Sequence, residues 1–224
     1  MSTPDWQRAP HHLAYRFSRE YITALLAERP QDADLPVPAC PGWSVRDVVV
    51  HLLGICRSVA ELPADGPEPG SVAGEDAAPL LAAWERVGAV TEGLLENGTR
   101  GGNGILVMDA LSHELDIRRA LAVAPPAEHP SYPTALAVVT GGFSASVRGH
   151  GLPPLLIETP GTQWTAGAGR PQARWSGPRH DLLRSLSGRR SAGQISAMTW
   201  SQDSSPWLHA FRWGPFSPPQ VPVE

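Results

Sequence analysis

Between Pro10 and Pro30 apolar residues recur at every fourth position, Leu13, Phe17, Tyr21 and Leu25, and this spacing predicts an amphipathic helix. A proline-rich loop, QDADLPVPACPGW, follows. Ser44 then offers an N-cap for a second helix, VRDVVVHLLGICRSVAEL, whose apolar stripe is Val45, Val48, Leu52, Cys56 and Val59 and which runs to Pro63. After the polar connector PADGPEPGSVAGED, a third stripe (Leu80, Trp84, Val87, Thr91, Leu94) is closed by Asn97-Gly98. A fourth helix, ILVMDALSHELDIRRALAV, opens after Gly104 and stops before Pro125-Pro126. Helices of this length with connectors between them predict a four-helix bundle over residues 1–128.

The segment PPAEHPSYP breaks the pattern. Beyond it TALAVVTGGFSASV reads as a further helix, and LPPLLIET and TQWTAG read as strands around a Pro160-Gly161 turn. HDLLRSLSG and SAGQISAMTW read as two short helices, with Gly188 as a stop and Ser191 as a cap. Residues 129–224 are therefore expected to form a small α+β domain, and the fold class is mainly α. No internal repeat is apparent.

At 224 residues, with 42% hydrophobic and 18% charged positions, the chain suits one large or two small globular domains. All 18 basic residues are Arg. Without a Lys amine there is no Schiff base, no P-loop lysine and no Ser–Lys dyad. A net charge of −4 gives no electrostatic case for nucleic acid or an anionic membrane. The first residues, MSTPDWQRAPHH, carry no apolar targeting core, no long apolar run follows, and two cysteines make no disulfide framework. These features predict a cytoplasmic protein, monomeric or homodimeric, acting on a small molecule.

The fourth helix carries the candidate chemistry. Ile105, Asp109, Ser112, His113, Asp116, Ile117 and Ala120 share one face, and Glu114 lies opposite. The helix is otherwise apolar nearly all round, so it should be buried. Two carboxylates and an imidazole buried unpaired would cost several kcal/mol. A divalent cation would satisfy them: Asp109 and His113 sit one turn apart, and His51, at the border of the second helix's stripe, supplies a third ligand. Two imidazoles, a carboxylate and an open water position make a catalytic rather than a structural zinc set. The bland alternative is a surface histidine, with Asp116 paired to Arg118 or Arg119. His11, His12, His129, His150, His180 and His209 read as surface residues, and Cys56 as core.

CPGWSVRDVVVHLLG, followed some 50 residues later by MDALSHELDIRRAL, resembles the mycothiol-dependent maleylpyruvate isomerase family, and HDLLRSLSGRRSAGQISAMTW is similar to its C-terminal region. The resemblance implies a DinB-like metal-binding bundle. It also implies a divalent metal, usually zinc, on His51, Asp109 and His113, and mycothiol as thiol cosubstrate. Asp109 stands where the family pattern has Glu, which makes Asp116 a spare ligand or a partner for a histidine N–H; Asp47 is another such partner. In that chemistry a metal-activated thiolate adds to an activated double bond, which rotates before elimination, or it attacks another electrophile as an S-transferase. A hydrolase or lyase using metal-bound water, and a non-catalytic binding protein, are the rival readings.

A carboxylate substrate would suit a planar bidentate cation, and Arg189 and Arg190 are the candidates; a solvated arginine pair is the alternative. Cys40 has no base near it in sequence. GGFSASVRG misses the nucleophile-elbow pattern, and GTRGGNG, with no strand before it, reads as a loop.

Overall fold

The computed structural model describes residues 9–63, 66–71, 74, 76–98 and 103–223. Its contacts divide the chain into two units, 1–133 and 134–224. No helix among the described residues is long and apolar enough to cross a membrane.

The N-terminal unit is a bundle of α1 (His11–Glu28), α2 (Val45–Val59), α3 (Ala78–Glu96) and α4 (Asn103–Ala120). A 3-10 turn, Pro30–Asp32, follows α1. α1 packs on α3 and α4, and α2 on the same two helices, giving the cyclic order α1–α3–α2–α4, with the α2–α4 seam the most sparsely packed. Ile22, Val48, Leu52, Trp84, Ala110 and Ile117 lie at its centre.

The face buried by α1 differs from the expected one. Leu13 is 43% and Phe17 46% exposed, whereas Ala14, Tyr15, Ser18, Arg19, Ile22 and Leu26 are buried. An ion pair accounts for the rotation. Arg19 reaches across to α3, where its Nε donates to Glu92 Oε1 at 2.8 Å and its Nη1 contacts Glu85; Arg16 donates to Glu92 Oε2 at 2.6 Å. A charge taken out of water must be paired, so the pair, not the apolar stripe, sets which side of α1 faces inward. α3 turns with it, burying Leu81, Gly88, Glu92 and Leu95 beside the expected Trp84 and Thr91. Gly88 provides the passage: a Cβ there would lie 2.5 Å from Arg19 Cδ.

α4 is buried almost all round, as its composition requires: every residue from Ala110 to Arg118 is buried. Glu114, pointing away from the Asp109 face, enters a second dry compartment. It accepts from Arg118 Nε at 2.8 Å and lies 3.1 Å from His129 Nε2. Burial pushes its carboxyl upward, but the His129 and Arg118 contacts prevail and hold it below the ordinary glutamate range. Arg118 also stacks on the Tyr21 ring at 3.6 Å. His129 was expected at the surface; it is 1% exposed because it completes this cluster. Ser131 fastens the same segment by donating to the Ala14 carbonyl at 2.9 Å.

The C-terminal unit opens with α5 (Tyr132–Gly149), which begins just before the division, and continues with β1 (Leu155–Thr159), β2 (Thr162–Ala166), β3 (Ala173–Ser176), α6 (Arg179–Leu186), α7 (Ala192–Ser196) and β4 (Thr199–Trp200). A 3-10 stretch, Ser205–Phe211, follows. The sheet order is β2-β1-β3-β4, with β1 and β3 parallel and the other pairs antiparallel. Pro160-Gly161 turns the β1–β2 hairpin, with Gly161 at φ +78°. Ser191 caps α7 in a reciprocal box with Gln194. Phe143, Trp175 and Phe211 pack edge to face or tilted in its core. β3 and β4 were not expected. SAGQISAMTW is helical only to Ser196, because Thr199 and Trp200 pair instead with Ser176 and Trp175.

Gly88→Ala is expected to lower N-terminal-unit stability by about 1–3 kcal/mol through overpacking. Gly54→Ala, where an added Cβ meets nothing within 4 Å, should raise it by about 0.5–1 kcal/mol. Urea midpoints of the two variants check this contrast.

Candidate metal centre

The site starts from a turn. Trp43 N donates to the Cys40 carbonyl at 2.9 Å and Gly42 sits at φ +83°. Pro at the second and a left-handed Gly at the third position define a type II turn, so Cys40-Pro41-Gly42-Trp43 folds back locally. Ser44 then caps α2: its Oγ accepts from Asp47 N at 3.2 Å, and Asp47 Oδ2 accepts from Ser44 N at 2.8 Å. Asp47 Oδ1 takes Gly70 N at 2.5 Å. These bonds tie Asp47 to the cap and the connector rather than to a histidine, contrary to the expectation for it. Burial raises the Asp47 carboxyl, but the hydrogen bonds from Ser44 and Gly70 outweigh it and leave the group below the usual range.

With α2 started at Val45, His51 falls on its second turn, facing α4. There Asp109 and His113 project one helical turn apart. Asp109 Oδ2 is 3.6 Å from His51 Nε2, and Asp109 Oδ1 is 3.7 Å from His113 Nε2. One donor atom from each of the three residues lies within 4.8 Å of the others. Both nitrogen–oxygen separations exceed a good N–H···O hydrogen bond, about 2.7–3.2 Å. They are shorter than two zinc–ligand bonds of about 2.0–2.1 Å laid end to end. The spacing is one that a small divalent cation between the donors could span. The side chains of His51 and Asp109 are 27% and 28% exposed, and that of His113 is 7% exposed, so the cluster has a buried floor and an open mouth. The Trp43 ring lies against both imidazoles, with centroids 5.2 Å from His51 and 6.4 Å from His113.

The far nitrogen of His113 is also engaged. Nδ1 lies 3.1 Å from Asp116 Oδ2, and Asp116 is fully buried. A carboxylate there favours the tautomer with the proton on Nδ1, in which Nε2 is the atom turned toward Asp109. Cys40 Sγ donates to the same Asp116 oxygen at 3.6 Å and stands 3.9 Å from His113 Nδ1. Asp116 thus stands behind a histidine nitrogen as expected, whereas the place of Cys40 beside it was not foreseeable, since its partners lie 73 and 76 residues downstream. The Pro-Gly turn signal in CPGW was the available hint that Cys40 and Trp43 are displayed together.

Arg189 and Arg190 belong to the C-terminal unit. Arg190 Nη2 is 2.6 Å from Asp181 Oδ1, and Arg189 Nη1 donates to the Ser187 carbonyl at 2.7 Å. Gly188, between them and α6, has φ +74° and acts as the expected stop. Burial lowers the neighbouring His180 from its ordinary value, with Arg190 and Arg184 adding to the effect against Asp181. GTRGGNG falls mostly on 99–102, and the start of the chain on 1–8; both stretches lie outside the described residues.

Fold and site together define a helical bundle with a candidate divalent-metal centre, followed by a small mixed-sheet unit. The profile of the mycothiol maleylpyruvate isomerase N-terminal domain family matches residues 15–148, more than half of the chain, and the protein belongs to that family. Two crystal structures of the mycothiol-dependent maleylpyruvate isomerase, one of them a histidine-to-alanine mutant, align with TM-score 0.56 at 13% identity, covering 90% of this chain and 96% of theirs. At that identity the likeness is one of fold, and it bears out a mainly α bundle followed by a small α+β region. No curated protein matches the sequence.

Asp116→Asn is expected to weaken zinc binding by about 10–100-fold, because an amide holds the Nδ1 proton less strongly than a carboxylate. Competition against a chromophoric chelator measures it; unchanged affinity would show that Asp116 does not support His113.

Proposed function

We propose that the protein is a metal-dependent, mycothiol-assisted isomerase or S-transferase acting on a small electrophile. Convergence of His51, Asp109 and His113 at an open-mouthed position in the α2–α4 seam carries this reading. A divalent cation held there, zinc by the nature of the donors, would lower the pKa of a thiol bound to it and make that thiol a nucleophile at neutral pH.

The chain's own residues divide the remaining work. His51 and His113 present ring nitrogens from opposite helices, and Asp109 would offset part of a cation's charge between them. Asp116 fixes the His113 ring from behind. Trp43 shields one flank of the imidazoles from water, and Ile105, one turn before Asp109 and 57% exposed, provides apolar surface on the same face of α4. In the C-terminal unit Arg189 and Arg190 are the candidate anchors for a substrate carboxylate, Arg190 with its planar fork already set by Asp181. Both cysteines are free thiols, in keeping with a reducing cytoplasm where a small thiol cofactor stays reduced. The isomerase named in the comparisons adds support through the shared family and fold.

Purified protein is expected to carry about one equivalent of zinc, with His51→Ala and His113→Ala each reduced to background in elemental analysis. Turnover of an α,β-unsaturated dicarboxylate or another small electrophile should require added mycothiol. Turnover unchanged without thiol would defeat the thiolate reading. A wild-type protein that takes up no zinc would defeat the enzyme reading altogether.

A further inference from the structure

Behind His113, on the side of the ring away from Asp109, lies a second donor set, which shares His113 and Asp116 with the proposed centre and adds Cys40. Cys40 Sγ, His113 Nδ1 and one oxygen of Asp116 lie within 4.8 Å of one another. The individual separations are 3.9 Å from sulfur to nitrogen, 3.6 Å from sulfur to oxygen and 3.1 Å from nitrogen to oxygen. The grouping is tertiary in origin, since Cys40 comes from the turn before α2 and the other two from α4. Asp116 is fully buried while Cys40 is half-buried, so an ion could approach from the cysteine side.

The two sets differ in chemical character. His51, Asp109 and His113 offer two nitrogens and an oxygen, suited to zinc and other borderline cations. The rear set replaces an imidazole with sulfur, which selects soft cations. They also share one ring through its two nitrogens. When an ion bonds to the rear set, the Cys40 thiol proton and the His113 Nδ1 proton leave to solvent as the sulfur and nitrogen lone pairs bind. Asp116 then ligates instead of holding the Nδ1 proton, and Nε2 serves the front position only as part of a shared imidazolate. Two cations on one ring also repel each other.

We propose that Cys40, Asp116 and Nδ1 of His113 form a second cation position, selective for thiophilic ions such as Cd2+ and Cu+, whose occupation weakens binding at His51, Asp109 and His113. A soft metal would thereby weaken the centre with no change in the oxidation state of Cys40. The rear position itself depends on the donor geometry alone, whereas its effect on the front position rests on the proposed metal centre.

The test titrates metal-free, full-length protein with Cd2+ and follows the ultraviolet sulfur-to-cadmium charge-transfer absorption. Wild type and His51→Ala should both develop the band, saturating near one equivalent. Cys40→Ser should lose it, and Asp116→Asn should need at least about ten-fold more Cd2+. Cd2+ should also protect Cys40 of the wild type from alkylation and lower its zinc affinity at least about ten-fold. That pair of readings decides the matter if Asp116→Asn fails to fold. A band that survives Cys40→Ser would assign the sulfur to Cys56 and overturn the proposal. So would a band lost in His51→Ala, which would make Cys40 a ligand of the front ion, or a folded Asp116→Asn that binds like wild type. If the wild type binds no zinc at the front position while the band behaves as expected, the catalytic reading and the claimed weakening fall together and the rear cation position alone stands.

Discussion

The close approach of the Asp116 carboxylate to His113 Nδ1, 3.1 Å in the interior of the bundle, is the constraint on which the rest of the site depends. It backs the one imidazole buried at the floor of the cluster and favours the tautomer with its proton on the inner nitrogen. Asp116 is fully buried, and a carboxylate taken out of water needs such partners, which it finds in His113 Nδ1 and Cys40. The opposite side of α4 meets the same requirement by other means, through Glu114, Arg118 and His129. One helix thus carries two polar clusters back to back. The inner one is closed and held by charge pairs; the other is open to solvent at Asp109 and His51.

The surroundings follow from local rules. A type II turn displays Cys40 and Trp43, a capping box begins α2 at a fixed residue, and His51 is placed by counting from that start. The sparse packing of α2 on α4 leaves room between the two helices for an ion, whereas α1 and α3 are drawn together by Arg19, Glu85 and Glu92. The bundle therefore separates stability from chemistry: its tight seams hold the frame, and its loose seam holds the donors.

Much of this was legible in the chain. The four helices, the Ser44 and Ser191 caps and the Pro160-Gly161 hairpin follow from periodicity and turn chemistry; the i,i+4 rule pairs Asp109 with His113, and the family resemblance, more than the border position of His51 on its stripe, singled out that residue as their partner. The inward face of α1 did not, because Arg19 is buried by its partners on another helix and no apolar pattern announces a paired charge. His129 escaped for the same reason: proline-rich surroundings suggest a surface loop until Glu114 is seen beneath it. β3 and β4, four and two residues long, carry no readable alternation and exist through pairing with neighbours distant in sequence. The partners of Cys40 on α4 are likewise set by how α2 and α4 pack.

X-ray absorption at the zinc edge of the purified, zinc-loaded protein tests the central claim most directly. The account predicts a first shell of nitrogen and oxygen at about 2.0–2.1 Å with outer-shell scattering from two imidazole rings. A shell dominated by sulfur at about 2.3 Å, or one without imidazole scattering, would contradict it.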